Sequence, residues 1–415
     1  MIREKKIFRF AAILVLFSLL FPIGARNLPL IDRSWVSMAI WFILAIFLKP
    51  RIFINTTMLW IYISMLLALF NANLFWDIKN ISEVSKDIIL HFSWIALAVS
   101  MNVYFLTSKD IIGYRIVIIT ALIFIIISSI TSIIGLNEFP NASRSMAAGI
   151  ESDANIFHTM YNKIGIVGYG FYAMTAFLLV VFGFYINTKD SKITKLFMNI
   201  FVLVFIYSNY LAQHTTILLF AIVGFTLSKL NLHRYLMLKI LSIIILFAIF
   251  KISLPPFLYD IANSLPQDSS VSIRLMDISN LLENLNFDTT TSDSYFVTER
   301  LGRTEQSLNY FLDNIIIGSG KSSGHAYWLD MLAKYGLSVF IPYIMIFIHS
   351  IRFNYKSFTN RFKPYYITVV FLMIAFGIIK NMESTEIWMG FFFIVPGIFY
   401  LSNTRQDALL PEAAE

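Results

Sequence analysis

IGYRIVIITALIFIIISSITSIIGL, residues 112–136, carries one charged side chain, Arg115, in 25 positions. Wound as a helix at about 1.5 Å per residue, it is long enough for a hydrocarbon layer ~30 Å thick. A helix satisfies its own backbone hydrogen bonds, which hydrocarbon cannot do for it. The stretch therefore reads as a transmembrane helix. Runs like it recur along the chain, which is 58% hydrophobic and 14% charged, against roughly 45–50% and about 25% in soluble domains. The runs are continuous rather than alternating, which argues against a β-barrel. The fold class expected is an all-α polytopic membrane protein.

Working outward from this stretch gives about twelve spans, near 7–25, 34–48, 54–73, 88–106, 112–136, 163–186, 196–212, 214–229, 237–254, 335–351, 365–380 and 387–402. The first lacks a small-x-small cleavage pattern and reads as a retained helix rather than a signal peptide. With the N-terminus placed inside, the inner segments hold 19 of the 32 Lys and Arg residues and 6 of the 25 acids. That bias predicts cytoplasmic N- and C-termini. It also explains the net charge of +7 as basic inner loops rather than a nucleic-acid surface. Zero cysteines exclude disulfides and thiolate chemistry.

The whole chain reads as one integral membrane domain with a polar cytoplasmic tail at 403–415. Two outer segments, 137–162 and 255–334, are longer than turns require, and loops of that length are usually functional. The second ends in GSGKSSGHAYWLDMLAKYG, residues 318–336. Its GKS looks like a phosphate loop, but a Walker A motif needs a glycine five residues before Gly320, where Ile315 stands. No strand precedes it, and the outer face is poor in ATP, so no nucleotide is expected. From His325 onward Trp328, Leu329 and Leu332 mark a helical stripe, with Ser322, Ser323 and Gly324 as candidate caps. A glycine-flanked helix N-terminus suits an anion. Upstream, RTEQSLNYFLDNIII at 303–317 sets Leu308, Phe311, Leu312 and Ile315 on one face, with Arg303, Ser307, Tyr310 and Asn314 mostly on the other. RLMDISNLLENL at 274–285 behaves similarly. Both read as amphipathic helices lying on the membrane surface, their polar faces lining a cleft.

This arrangement resembles the O-antigen polymerase and O-antigen ligase family: an Arg-bearing amphipathic helix, then a Gly-x-Gly turn leading to His325 and a Leu-rich helix. YNKIGIVGYGFYAM at 161–174 is similar to the start of a span in some capsular and exopolysaccharide polymerases. The chain departs from the pattern in having Ala326 after His325, and AQHTTILL at 212–219 where many members carry Ser-Arg. The resemblance implies a glycosyltransferase C-type (GT-C) fold in a bacterial inner membrane, with an extracytoplasmic site. It also implies an undecaprenyl-pyrophosphate-linked oligosaccharide as both donor and acceptor, no nucleotide sugar and no metal. A polymerase moves the growing chain onto a new lipid-linked repeat unit, in some systems with a chain-length regulator as partner. A ligase moves it to lipid A-core.

Displacing a lipid pyrophosphate from an anomeric carbon develops negative charge that fixed cations stabilise. Arginine grips phosphate oxygens bidentately, so Arg144, Arg274, Arg300 and Arg303 are the candidate pyrophosphate ligands, Arg303 foremost. Each has an alternative as a solvated side chain or a surface ion pair. His325 is the candidate catalytic histidine, either as base or as phosphate donor, with helix capping as its structural alternative. Glu299 and Asp330 are further candidates for base or support, Asp330 also being spaced to pair with Lys334. His214, beside Asn209 and Gln213, forms a polar group where apolar residues are expected, which suits either a cavity or a helix–helix hydrogen bond. His91, His158, His233 and His349 have no such company in the sequence. Glu151 and Asp153 lack a third ligand for a cation, so no metal is expected. A flippase for the same lipid-linked sugar is the alternative from another class. It fits the span count, but the arginines concentrate in outer loops rather than at mid-membrane, and no internal repeat appears.

Overall fold

The computed structural model describes residues 2–26, 34–76, 81–140, 142–148, 160–161, 163–188, 192–229, 259–264 and 295–407, with a few single positions between 272 and 279. The 237–254 span, Arg274, Glu151, Asp153, His158 and His233 lie outside the described residues. So do much of the segments 137–162 and 255–334 and the end of the 403–415 tail.

Among the described residues there are helices and no strands. They are α1 (Ile2–Leu20), α2 (Pro22–Arg26), α3 (Ser34–Leu48), α4 (Thr56–Leu74), α5 (Ile81–Thr107), α6 (Ile111–Glu138), α7 (Ala142–Ala148) and α8 (Tyr169–Thr188). Then come α9 (Lys192–Leu211), α10 (Thr215–Lys229), α11 (Tyr295–Asp313), α12 (Tyr327–Ser357), α13 (Lys363–Ile379), α14 (Thr385–Met389) and α15 (Val395–Asp407). A π-turn, Gly390–Ile394, joins the last two.

Every expected span inside the described residues overlaps one of these helices. Six stretches are long and apolar enough to cross a membrane: Thr56–Leu74, Ile81–Thr107, Ile111–Glu138, Tyr169–Asn187, Tyr327–Ser357 and Thr385–Ser402. Ser34–Leu48, Lys195–Leu211, Thr216–Lys229 and Lys363–Ile379 are apolar but shorter. In α1 the charges of Arg3, Glu4, Lys5, Lys6 and Arg9 dilute an otherwise apolar helix.

Burial follows the inverted logic of a bilayer protein. On α6, Ile112, Ile116, Ile119, Ile123, Ile127, Ile130 and Ile134 form one exposed stripe, while Ser128, Ser129 and Ser132 face inward. Large apolar groups point out and small polar groups pack against neighbouring helices, as happens where hydrocarbon is the solvent. The helix α8 is buried nearly all round, and α5 over most of its length. Around them α4 packs on α12, α1 on α6, and α8 on α10.

The connections sort to two ends of the bundle. At one end Glu4 pairs with Lys49 at 2.9 Å, and Arg9 with Asp110 at 2.6 Å. These bonds join the N-terminus to the α3–α4 and α5–α6 connections. At the other end Asn71 near the end of α4 donates to the Ile317 carbonyl at 3.0 Å, and the Tyr327 N–H to the Lys380 carbonyl at 3.3 Å. The helix α7, the glycine turn before α12, the α13–α14 connection and the α9–α10 turn all meet there.

The glycine stretch has a structural use at that end. The helix α12 is interrupted at Gly336 (φ 67°, ψ 179°), which leaves backbone groups without helical partners. The strap 315–320 supplies them. Ser319 and Gly320 N–H donate to the Ala333 and Lys334 carbonyls at 2.9 and 3.1 Å, and Leu337 and Ser338 N–H donate to Ile315 and Ile316 at 2.9 and 3.0 Å. Gly318 (φ +77°) and Gly336 face each other so closely that a Cβ on Gly318 would stand 2.4 Å from the Lys334 oxygen. The amphipathic segment from His325 and the 335–351 span, expected as separate units, are thus one helix broken and mended by the strap.

Candidate functional site

The expected amphipathic helix at 303–317 ends at Asp313 as the C-terminal part of α11, with 314–317 turning into the strap. Leu308, Leu312 and Ile315 are exposed, whereas Ser307 is fully buried against the bundle. Of the expected polar face Arg303, Ser307 and Tyr310 turn inward while Asn314 stays exposed, and the face presents Arg303 to the turn before α12. There an Arg303 Nη1–H donates to His325 Nε2. A guanidinium can only donate, so this nitrogen of His325 offers its lone pair and is not open to take another proton. The two side chains singled out from the sequence meet, both half-buried.

One turn further along α11, Ser307 donates to Asp330 Oδ1 at 2.6 Å. The same carboxylate receives Ser323 N–H at 3.2 Å, Ser323 Oγ at 3.1 Å and, through Oδ2, Ala326 N–H at 2.9 Å. Four donors on one buried carboxylate fasten the glycine turn to α11 and α12. Two expectations are corrected here. The cap of α12 is Ala326 without a side-chain cap bond; of the expected capping serines Ser323 binds Asp330 instead, and Asp330 takes the Ala326 N–H that a bound anion would have used. Nor does Asp330 pair with Lys334. Lys334 lies instead with its ammonium 5.2 Å from the Tyr335 ring centre.

Sequence reading left His91 without a constellation, and folding supplies one. Tyr327 Oη lies 3.4 Å from His91 Nε2 and hydrogen-bonds Tyr343 Oη, while the Trp388 ring stands edge-on 6.0 Å from the imidazole. His349 stacks on Trp60 at 6.4 Å.

His214, at the turn between α9 and α10, is buried with its Nε2 3.0 Å from Ser143 Oγ. The rings of Tyr169 and Tyr172 sit 5.3 and 5.6 Å away. Arg144, next to Ser143 on α7, is half-buried. Glu299 and Arg300 belong to α11; their side chains lie outside the described residues, as does all of Arg274.

Between the Arg303–His325 contact and the His214 group runs KNMESTE, residues 380–386, which sequence reading passed over. Lys380 holds the first N–H of α12, and Ser384 packs on Gly170 beside Tyr169, where any Cβ would clash. Ser384 Oγ donates to Glu386 Oε2, and Asn381 Oδ1 accepts the Glu383 N–H at 3.0 Å. The cue was present: five of the six residues after Lys380 are polar, two of them glutamates, in a turn too short to need them.

The assembled face can hold an anion with the half-buried Arg303 and present the carboxylate of the exposed Glu383 to a polar ligand. Among the described residues no group of three His, Cys, Asp or Glu side chains converges for a metal. Compared with known proteins, the chain matches no family model and no curated sequence.

Proposed function

We propose that this chain is a glycosyltransferase of the bacterial cytoplasmic membrane, a GT-C-type bundle of about twelve spans with its site on the extracytoplasmic side. It polymerises polysaccharide by moving a growing glycan from undecaprenyl pyrophosphate onto a new lipid-linked repeat unit. The observation that carries this reading is the Arg303–His325 contact, at the end of the bundle that holds the glycine turn and the α13–α14 connection. His325 accepts one N–H of Arg303 and so fixes the plane of the guanidinium. The remaining donors keep a defined direction for pyrophosphate oxygens, which is electrostatic preorganisation at the leaving group. Arg144, Arg274 and the α11 residue Arg300 are the further cations of the reading. The sidedness comes from the charge bias of the loops.

The test is the surface glycan of a strain carrying altered chains in place of the native one. With normal membrane insertion, Arg303→Ala stops growth at a single repeat. Arg303→Lys is nearly as impaired, because an ammonium cannot reproduce the planar fork. Full-length polymer from Arg303→Ala overturns the proposal. Long chains stranded on the carrier in the deletion strain indicate a ligase instead, and lipid-linked units trapped on the cytoplasmic side indicate a flippase.

A further inference from the structure

A lateral groove opens between α3, the Pro50–Phe53 turn, α4 and α5. Its volume is about 460 Å³, within the roughly 300–1,000 Å³ range of small-molecule sites. Ile46, Pro50 and Ile54 line it from exposed positions, and Met58, Phe92 and Ala96 form its buried floor. The lining carries no charge, and only Tyr62 and Ser93 bring a hydroxyl to it. Its chemistry suits a hydrocarbon chain.

The helix positions give its depth. It starts at the end of the bundle that holds the N-terminus, beside Lys49, which pairs with Glu4 at 2.9 Å. From Thr56, where α4 leaves that end, Met65 lies about 14 Å along the helix at 1.5 Å per residue. From Thr107, where α5 reaches the same end, Ala96 and Phe92 lie about 17 and 22 Å back. These depths bracket the middle of a ~30 Å hydrocarbon layer. The groove therefore opens at one face and ends near the midplane, so a chain lying in it has its head at the mouth. There Arg51, between the lining residues Pro50 and Phe53, is exposed, and among the described residues no hydrogen bond or ion pair reaches its guanidinium. A guanidinium with its donors unspent grips phosphate oxygens. Helical side chains lean toward the start of their helix, which carries the Tyr62 hydroxyl toward the mouth. That hydroxyl has no hydrogen-bond partner among the described residues either. A polyprenyl pyrophosphate held by Arg303 would have its head at the opposite end of the bundle.

We propose that the groove binds one acyl chain of an anionic phospholipid from the leaflet at the N-terminal end, with Arg51 on its phosphate and Tyr62 donating to its glycerol ester. The inference does not rest on the transferase reading above. The helix α3 packs on α1, on the Pro50–Phe53 turn and on α5, and the bound chain fills the gap left between α3 and α4. A lipid bound only by the folded chain also stabilises it.

The experiment places the full chain in phosphatidylcholine vesicles containing phosphatidylglycerol with a photoactivatable acyl chain. Irradiation should give a saturable cross-link on the peptides that hold Met58, Met65 and Phe92, displaced by unlabelled phosphatidylglycerol far better than by added phosphatidylcholine. Arg51→Gln should weaken phosphatidylglycerol about fivefold, the weight of one basic residue at an anionic surface. Lys356→Gln, an exposed cation at the same end, should not. Ile46→Trp, which narrows the mouth from a position 55% exposed, should abolish the saturable cross-link, while Ile116→Trp on the exposed stripe of α6 leaves it intact. A cross-link that never saturates and spreads over the exposed helix faces is boundary lipid and overturns the proposal. Equal displacement by the two phospholipids overturns it too. Displacement by undecaprenyl phosphate at a lower mole fraction than phosphatidylglycerol makes the groove a tail site for that carrier, and this occupant is then wrong. These three outcomes are read on the unaltered chain, so they hold even where a variant fails to insert.

Discussion

Asp330 and Lys321 stand nine residues apart in the same stretch and have opposite weights. The Asp330 carboxylate accepts four hydrogen bonds from Ser307, Ser323 and Ala326. Lys321 is exposed, and its backbone N–H is bonded to Ser319 Oγ at 3.2 Å. Replacing Asp330 by Asn turns an amide N–H₂ toward donors, and leaving buried donors unsatisfied costs about 1–3 kcal/mol each. Asp330→Asn is therefore expected to lower the thermal unfolding midpoint in detergent and to reduce polymer formation. Lys321→Ala should change neither; loss of activity there would revive the phosphate-loop reading of GKS. The His325 turn and the Arg303 helix were legible because each follows from local pattern. The fate of Asp330 was not, since its spacing to Lys334 suggested an ordinary helix pair, and only the approach of α11 supplied four better partners.

The broken helix α12 shows how an element can be misread when its punctuation is correct. A glycine run predicts a turn, and Gly318 and Gly320 do turn. The partner of that turn is Gly336, eighteen residues past Gly318, inside what reads as the head of a span. Asn71 completes the joint by donating to Ile317 O and Ser338 Oγ, each at 3.0 Å. An alanine at Gly336 requires φ near +67° and places its Cβ 2.4 Å from the Gly318 nitrogen. Backbone strain of that kind costs about 1–3 kcal/mol before the clash is counted. Gly336→Ala should thus reduce the yield of folded protein and open the 315–320 strap to proteolysis. Equal yield and equal protection would show that the strap does not depend on this close approach.

At the scale of the molecule, the Arg9–Asp110 pair ties the first helix to the α5–α6 connection by two hydrogen bonds, 2.8 and 2.6 Å. Burial alone would raise the Asp110 carboxyl. The hydrogen bonds from Arg9 and the Gly113 N–H, with the charges of Arg9 and Lys5, bring it below its ordinary range. A carboxylate depressed on folding stabilises the fold above its unfolded range, near ~3.9 for aspartate. That stabilisation disappears as pH falls through the lower folded value. Asp110→Asn should therefore be less stable than the native chain at neutral pH by about 1.5–3 kcal/mol, the weight of hydrogen bonds to a charged group. The gap should close under acid conditions. Unfolding midpoints of both chains across the acid range check this, and a constant gap would remove the pair as a pH-dependent tie.

The sequence by itself determined the membrane class, nearly all the helix positions and the inward polar face carrying Arg303. These are local properties: hydropathy over some twenty residues decides what can lie in hydrocarbon, and a period of 3.6 decides which face turns inward. Only the tertiary structure decided what the glycines are for, gave His91 its tyrosines, filled the Asp330 carboxylate, and brought the 380–386 turn between the two groups of candidate residues. Those outcomes join residues far apart in the chain, such as His91 and Trp388. They depend on which helices pack together, a choice that no single stretch of sequence records.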